Sequence, residues 1–276
     1  MDPQDRLFQL FKSIGTPTTS SLERLRQFEL NCEERKDPNS FYLTFMMGNP
    51  PTISWSYNSK LFLGVEKLDY EGYRDRIHPT WLPLHFAFGA AGYKNGNNVY
   101  SDRMDCNAIY TVNIPILHQD GSYCWYNQVS IPTVFDANGE LIAHLNQYHR
   151  LCPFDRLVPT KPKLNLRGEL RNEFDELFAK AGNAAIPDCL NPLLSAANQR
   201  IIHTYRKLAR KADNGSWLPP AKKEVREELS ISAAAINKAN VRIIQALDNN
   251  FPKCVTRDVA GFATFLNELC GPPGDL

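Results

Sequence analysis

Six histidines and seven cysteines hold most of the metal and acid–base chemistry available to this 276-residue chain, and their spacing limits what they can do together. His144 and His149 lie five apart in a stretch that reads as a strand. An odd separation sends them to opposite faces, so they cannot share one ion there. His78, in Ile77-His78-Pro79, has the setting of a residue that closes a loop, and His85, beside Phe86 and Phe88, that of a hydrogen-bonded core histidine. The cysteines, at 32, 106, 124, 152, 189, 254 and 270, form no CxxC pair and are odd in number. That pattern argues against both a disulfide framework and a thiolate zinc site, and leaves thiols used as small apolar residues in a reducing compartment. Ser101-Asp102, Cys106 and Cys124 have no nucleophile motif such as GxSxG around them. Neither a P-loop nor GxGxxG is present. The expectation is that the chain is not an enzyme. A different chemistry is offered by Lys222, Lys223, Arg226, Lys238 and Arg242, which suit a polyanion, although Glu224, Glu227 and Glu228 among them also fit a solvated helix face.

Composition sets the frame for these residues. Hydrophobic residues at 43% and charged ones at 22% belong to a globular chain rather than a disordered one. The first ten residues carry Asp2, Asp5 and Arg6 with no apolar run behind them, so no signal peptide is read there. The longest apolar stretch, Trp81 to Gly92, is interrupted by Pro83 and His85 and falls short of the roughly 20 residues a membrane span needs. A cytoplasmic protein without a membrane partner is expected. The net charge of +1 divides unevenly. From Lys161 onward there are 17 Lys+Arg against 13 Asp+Glu, or +4; totals of 31 and 30 leave 14 and 17 before it, or −3. The sign of that split suits a C-terminal part that meets a polyanion.

The periodicities place the elements. Residues Pro3 to Asn31 read as helical until Asp37-Pro38-Asn39-Ser40, and Phe41 to Met47 and Thr52 to Ser56 as strands about the turn Gly48-Asn49-Pro50-Pro51. Helical and loop-like sequence follows from Asp69 to Lys94. Tyr110–Leu117, Tyr123–Val134 and Leu141–Tyr148 then form an expected antiparallel meander, turned by Asp120-Gly121 and by Asp136-Ala137-Asn138-Gly139. The alternating aromatics Tyr110, Tyr123, Trp125, Tyr126 and Tyr148 read as a core-facing sheet surface or as a ligand platform. Pro153, Pro159 and Pro162 make 152–167 a linker. A helix is expected from Leu166 to Ala181, capped by Gly182-Asn183, with further helices at Asn191–Asp213, Lys222–Leu229, Ser232–Leu247 and Thr256–Leu269. Strands and helices in separate blocks imply an α+β chain with an N-terminal helical segment (1–36), a sheet domain (37–151), the linker, and a helical domain (168–276). Cleavage within the linker should release two fragments.

The sheet block resembles the PAS family. Tyr57 to Gly64, Tyr70-Glu71-Gly72-Tyr73 and Ile77-His78-Pro79-Thr80-Trp81 are similar to the stretch that ends in I-H-P-D in many members, with Thr80 where Asp is usual. Asp120-Gly121-Ser122-Tyr123-Cys124-Trp125 and Asp136 to Leu141 are similar to its two later turns. The resemblance spans about 110 residues and rests on the order of the three motifs. It implies a pocket between sheet and helices that holds haem, flavin or a small metabolite in different members. His85 lies near where haem-binding members place a ligand, whereas no cysteine has the flavin-reactive setting. No particular cofactor follows.

The helical block resembles the LuxR/FixJ helix-turn-helix. Lys222 to Leu229 is similar to its scaffold helix, Ser230-Ile231-Ser232 to its turn, and Ala233 to Ile244 to its recognition helix. Val225, Leu229, Ile231, Ile236 and Ile243 take the core positions, and Ser232 is a natural N-cap. Ala235 and Ala239 stand where Thr and His are common, and the segment Leu194–Trp217 ahead of the motif is longer. The resemblance places a helix-turn-helix at about 191–270 and implies DNA contacts from Lys222, Lys223, Ser232, Asn237, Lys238 and Arg242. Asn237, Lys238 and Arg242 share the outer face if Ile236 and Ile243 point inward. The implied protein is a dimeric bacterial transcription regulator whose PAS domain senses a ligand or partner. The alternative is a protein-interaction module whose altered helix-turn-helix no longer binds DNA, and a weaker one a small-molecule binding protein.

Overall fold

The computed structural model describes residues 19–35, 37–100, 108–136, 138, 140–166 and 169–273. In chain order the elements are α1 (Thr19–Arg35), β1 (Ser40–Met46), β2 (Thr52–Tyr57), α2 (Ser59–Leu63), α3 (Tyr70–Arg74), α4 (Leu82–Tyr100), β3 (Ala108–Leu117), β4 (Tyr123–Phe135) and β5 (Leu141–Pro153). Then come β6 (Lys163–Leu166), β7 (Glu169–Leu170), α5 (Asp175–Leu190), α6 (Ala196–Leu208), β8 (Arg210–Lys211), β9 (Trp217–Leu218), α7 (Lys222–Leu229), α8 (Ala233–Leu247) and α9 (Val259–Cys270). The chain is α+β. The helical reading that begins at Pro3 lies outside the described residues as far as residue 18.

Period-two patterning in the β-branched and aromatic runs builds a seven-stranded sheet in the order β2-β1-β5-β4-β3-β6-β7, with every neighbouring pair antiparallel. The β3–β4–β5 meander forms over the expected segments. Its first turn carries Gly121 at φ +83°, a conformation that suits glycine, while Asp120 Oδ1 accepts from Ser122 N at 2.9 Å. In the second turn Asp136 Oδ1 accepts from the backbone N–H groups of Asn138 and Glu140, both at 2.8 Å. One face of the sheet carries α1, with Thr44 donating to Glu29 and Trp55 to Glu33. The other face carries α2 to α4, and behind them the C-terminal helices.

Residues 152–167 differ from the expected linker. Cys152 and Pro153 finish β5, and β6 pairs with β3 so that Leu164, which is buried, lies opposite Tyr110. The physical reason is the open edge of β3, whose unpaired backbone groups take up even a four-residue strand. The helix expected from Leu166 begins instead at Asp175 and runs through Gly182-Asn183 to Leu190. Gly182 serves close packing rather than capping: a Cβ there would collide with Cys270 Sγ and the Phe88 ring. Asn183 donates to the carbonyls of Cys270 and Pro272.

The sheet block and the helical block share one apolar core. Trp81 lies edge-on to Trp125, with ring centroids 5.1 Å apart, and also meets Phe251 and Phe265. Thr80 Oγ1 donates to Asn250 Oδ1 at 3.3 Å, and Phe88 meets Phe178. Within the helical layer the buried Arg206 ties α5, α6 and α9 together by donating to Asn183 Oδ1, Asn267 Oδ1 and Gly271 O. Among the described residues no helix is long and apolar enough to cross a membrane.

A shared core implies cooperative unfolding. Urea titration followed by both tryptophan fluorescence and far-UV circular dichroism should give one coincident transition, and Gly182→Ala should lower stability by about 1–3 kcal/mol through overpacking. Two separated transitions would instead restore independent units on either side of 152–167.

Candidate functional site

The pleat of the central strands stacks three rungs of inward side chains. Phe41, Tyr148, Gln128 and Val112 form the first, and Leu43, Asn146, Ser130 and Tyr110 the second. Phe45, His144 and Pro132 form the third. Period two forces this: Gln128, Ser130 and Pro132 on β4 alternate with outward residues, as do His144, Asn146 and Tyr148 on β5. Polar groups therefore stand where a plain core would be apolar. Over the second and third rungs lies a half-open cavity of about 130 Å³, lined on the helix side by Phe86 and Gly89 of α4 and Tyr70 and Tyr73 of α3, and also by Met47 and Pro51.

A directed hydrogen-bond chain runs along one wall. Asn146 Nδ2 donates to Tyr148 Oη at 3.0 Å, and Tyr148 Oη donates to Tyr73 Oη at 3.0 Å. The Tyr73 hydroxyl is then free to donate to His85 Nε2, 3.3 Å away, which assigns the His85 proton to Nδ1. Gln128 Nε2 donates to Ser130 Oγ at 3.0 Å. Among the described residues, five buried polar atoms around the cavity have no hydrogen-bond partner: His85 Nδ1, Tyr110 Oη, Gln128 Oε1, His144 Nδ1 and Asn146 Oδ1. Each such group would cost about 1–3 kcal/mol if left unpaired, so their concentration around one cavity makes it the candidate site. Burial pushes His85 and His144 down to about 4, and for His144 the neighbouring His85 acts in the same direction. Burial likewise raises the phenols of Tyr70, Tyr73 and Tyr110. At neutral pH the cavity wall is uncharged and mostly apolar, with a few polar groups set into it.

No known family model matches this chain, and no curated protein does.

The sequence-derived sites fall into two groups. His85 and His144 come together on the cavity, whereas His149 lies on the other face of β5, 3.3 Å from Ser40 Oγ. His78 closes its loop, its Nδ1 accepting from Thr80 N at 3.3 Å. Trp125, Tyr126 and Tyr148 are core; Tyr110 alone of the alternating aromatics lines the cavity. Ser101, Asp102 and Cys106 lie outside the described residues. In the helical block Lys222, Lys223, Ser232, Asn237, Lys238 and Arg242 are all exposed, while Val225, Ile236 and Ile243 are buried. Ser232 caps α8 by accepting from Ala235 N at 3.1 Å. Lys222 Nζ donates to Asn237 Oδ1 at 3.0 Å, which joins the first turn of α7 to α8, and Lys223 stands 3.8 Å from Glu227.

Gln128, Ser130 and Asn146 were not singled out in the sequence, although a signal existed. They are polar residues at the inward positions of two strands whose outward positions hold Val129, Ile131 and Leu145.

Three partly or fully buried histidines set a pH dependence. Unfolded, a histidine takes up its proton near 6.5; His78, His85 and His144 in the fold do so at about 4. Between those values the unfolded chain binds more protons, so their contribution to stability is fully present above about 6.5 and is lost as pH falls toward 4. Urea unfolding at pH 6.5 and pH 5 should show this loss, and His85→Phe should reduce it by about 2 kcal/mol, at about 1.4 kcal/mol per proton per pH unit.

Proposed function

We propose that this chain is a ligand-responsive regulator, in which a PAS-type sensor domain receives a small molecule in the His85–His144 cavity and governs DNA binding by a LuxR-type helix-turn-helix. The observation that carries the reading is the cavity, with its unpartnered polar atoms set on the inward face of the β3–β4–β5 meander. The placement of α2 to α4 over that face supports the PAS resemblance. The order α7, a three-residue turn and a Ser232-capped α8 supports the helix-turn-helix, and Asn237, Lys238 and Arg242 stand on its exposed side. Acting as a homodimer in the bacterial cytoplasm, such a protein would lay α8 in a major groove. The reading assigns it no catalytic step.

Coupling between the two parts has a physical route. Phe86 and Gly89 line the cavity from α4, the next residue but one from Phe86 is Phe88, and Phe88 presses on Phe178 of α5. Just ahead of α4, Thr80 and Trp81 meet Asn250 and Phe251, which follow α8. A ligand that favours one position of α4 shifts the population of arrangements of α8 by its difference in affinity for them.

A second reading, an interaction module with no DNA contact, is favoured by one observation: Val241 is 58% exposed on α8, with Ala234 and Ala235 also exposed. Anisotropy titration of labelled genomic fragments at low salt separates the two. If Lys238 and Arg242 touch phosphates, Lys238→Ala and Arg242→Ala should each weaken binding across all sequences and lower the salt slope by about one. No detectable binding by the intact chain at low salt would favour the interaction module.

A further inference from the structure

We propose that the cavity selects an uncharged single-ring molecule with N–H or O–H donors along one edge, met by the side-chain carbonyls of Gln128 and Asn146. The inference rests on the cavity being the sensor's ligand site and names the chemistry that site would take.

Size comes first. The cavity measures about 130 Å³, and an apolar cavity of roughly 150 Å³ accommodates benzene, so the space is that of one ring with small substituents. Charge comes second. No Asp, Glu, Lys or Arg is among the described lining residues. An ionic ligand would lose its hydration there without a counter-ion, a cost far above that of one hydrogen bond. The two histidines do not supply that counter-charge, because burial keeps them neutral at physiological pH.

Polarity decides the rest. Gln128 and Asn146 are 5% and 2% exposed, and each amide has committed its N–H side, to Ser130 Oγ and Tyr148 Oη. Their unpartnered atoms are both carbonyl oxygens, Oε1 and Oδ1. Two acceptors from neighbouring strands call for donors on the ligand, and an aprotic ring would leave both unpaired. The Tyr110 hydroxyl and the His85 Nδ1–H can donate, so one acceptor on the ligand is also accommodated. Phe45, Phe86 and Pro132 supply apolar faces for the ring. On the helix side, a Cβ at Gly89 would meet nothing within 4 Å, so a ring can lie close to the α4 backbone.

The test uses the full chain and three rings of similar size: resorcinol (neutral, two O–H donors), toluene (neutral, none) and benzoate (anionic), with binding measured by calorimetry or ligand-observed NMR. Resorcinol should bind at least about tenfold more tightly than either of the others. Gln128→Leu and Asn146→Leu should each weaken resorcinol about tenfold while leaving toluene as tight or tighter. Gly89→Leu fills the space above the rungs without removing a polar group and should abolish binding of every ring. Circular dichroism checks that fold is retained, and the two rung variants give an independent reading if it is not. Toluene or benzoate binding as tightly as resorcinol, or resorcinol binding that ignores both rung variants, would overturn the ligand class. Sensitivity to Gly89→Leu would in that case still keep the cavity as the site. Absence of any binding that responds to Gly89→Leu would overturn the ligand class and the sensing role together.

Discussion

The register between β4 and β5 is the constraint on which the rest depends. Gln128 opposite Tyr148, Ser130 opposite Asn146 and Pro132 opposite His144 put three polar side chains and one histidine on the inner face. A slip of one residue would turn all of them outward and bring Val129, Ile131, Leu145 and Gln147 in, giving a plainer core and no cavity chemistry. Nothing local holds the less apolar choice in place. What holds it is the pairing on both sides: Phe41, Leu43 and Phe45 of β1 against β5, and Tyr110, Val112 and Ile114 of β3 against β4. The outer residues of that register are used as well, since Tyr42 and Leu145 pack with Cys32 of α1.

That arrangement trades stability for a receptive interior. Five polar atoms around one cavity have no protein partner, and each would cost about 1–3 kcal/mol if left unpaired. The aromatic cluster beneath them offsets this cost, with Phe41 stacked on Tyr148 at 4.5 Å and Tyr126 edge-on to Phe41 at 5.5 Å. So does the helical layer, whose Phe251, Phe262 and Phe265 extend the same core. The C-terminal helices thus support the central sheet as well as following it in sequence, and neither block buries its apolar face alone.

The meander and its turns were legible because alternation and turn chemistry are local. Asp120-Gly121 needs a positive φ, and Gly121 has it. Lys222–Leu229 and the Ser232-capped α8 were legible for the same reason: amphipathic spacing and an N-cap act within one turn. β6 was hidden because four residues just after Pro159 and Pro162 carry no period of their own, and only the distant edge of β3 makes them a strand. Gly182 was misread because a glycine's local meaning, a helix end, was overridden by its tertiary one, room for Phe88 and Cys270. The cavity was half visible. His85 and His144 could be seen as isolated residues, but that they face one space follows from placing α4 over a particular pair of rungs, which no stretch of sequence encodes.

The strand order has a consequence for how copies of the chain behave in a crowded solution. At one end the sheet finishes in β7, two residues long and exposed, which offers a foreign strand almost no backbone to extend. At the other end β2 runs for six residues, from Thr52 to Tyr57, with Trp55 and Tyr57 stacked on each other at 6.2 Å. Among the described residues, templated growth of the sheet therefore has one direction open to it and one shut. Glu33 of α1, bonded to Trp55, stands as a gatekeeper charge beside the open side.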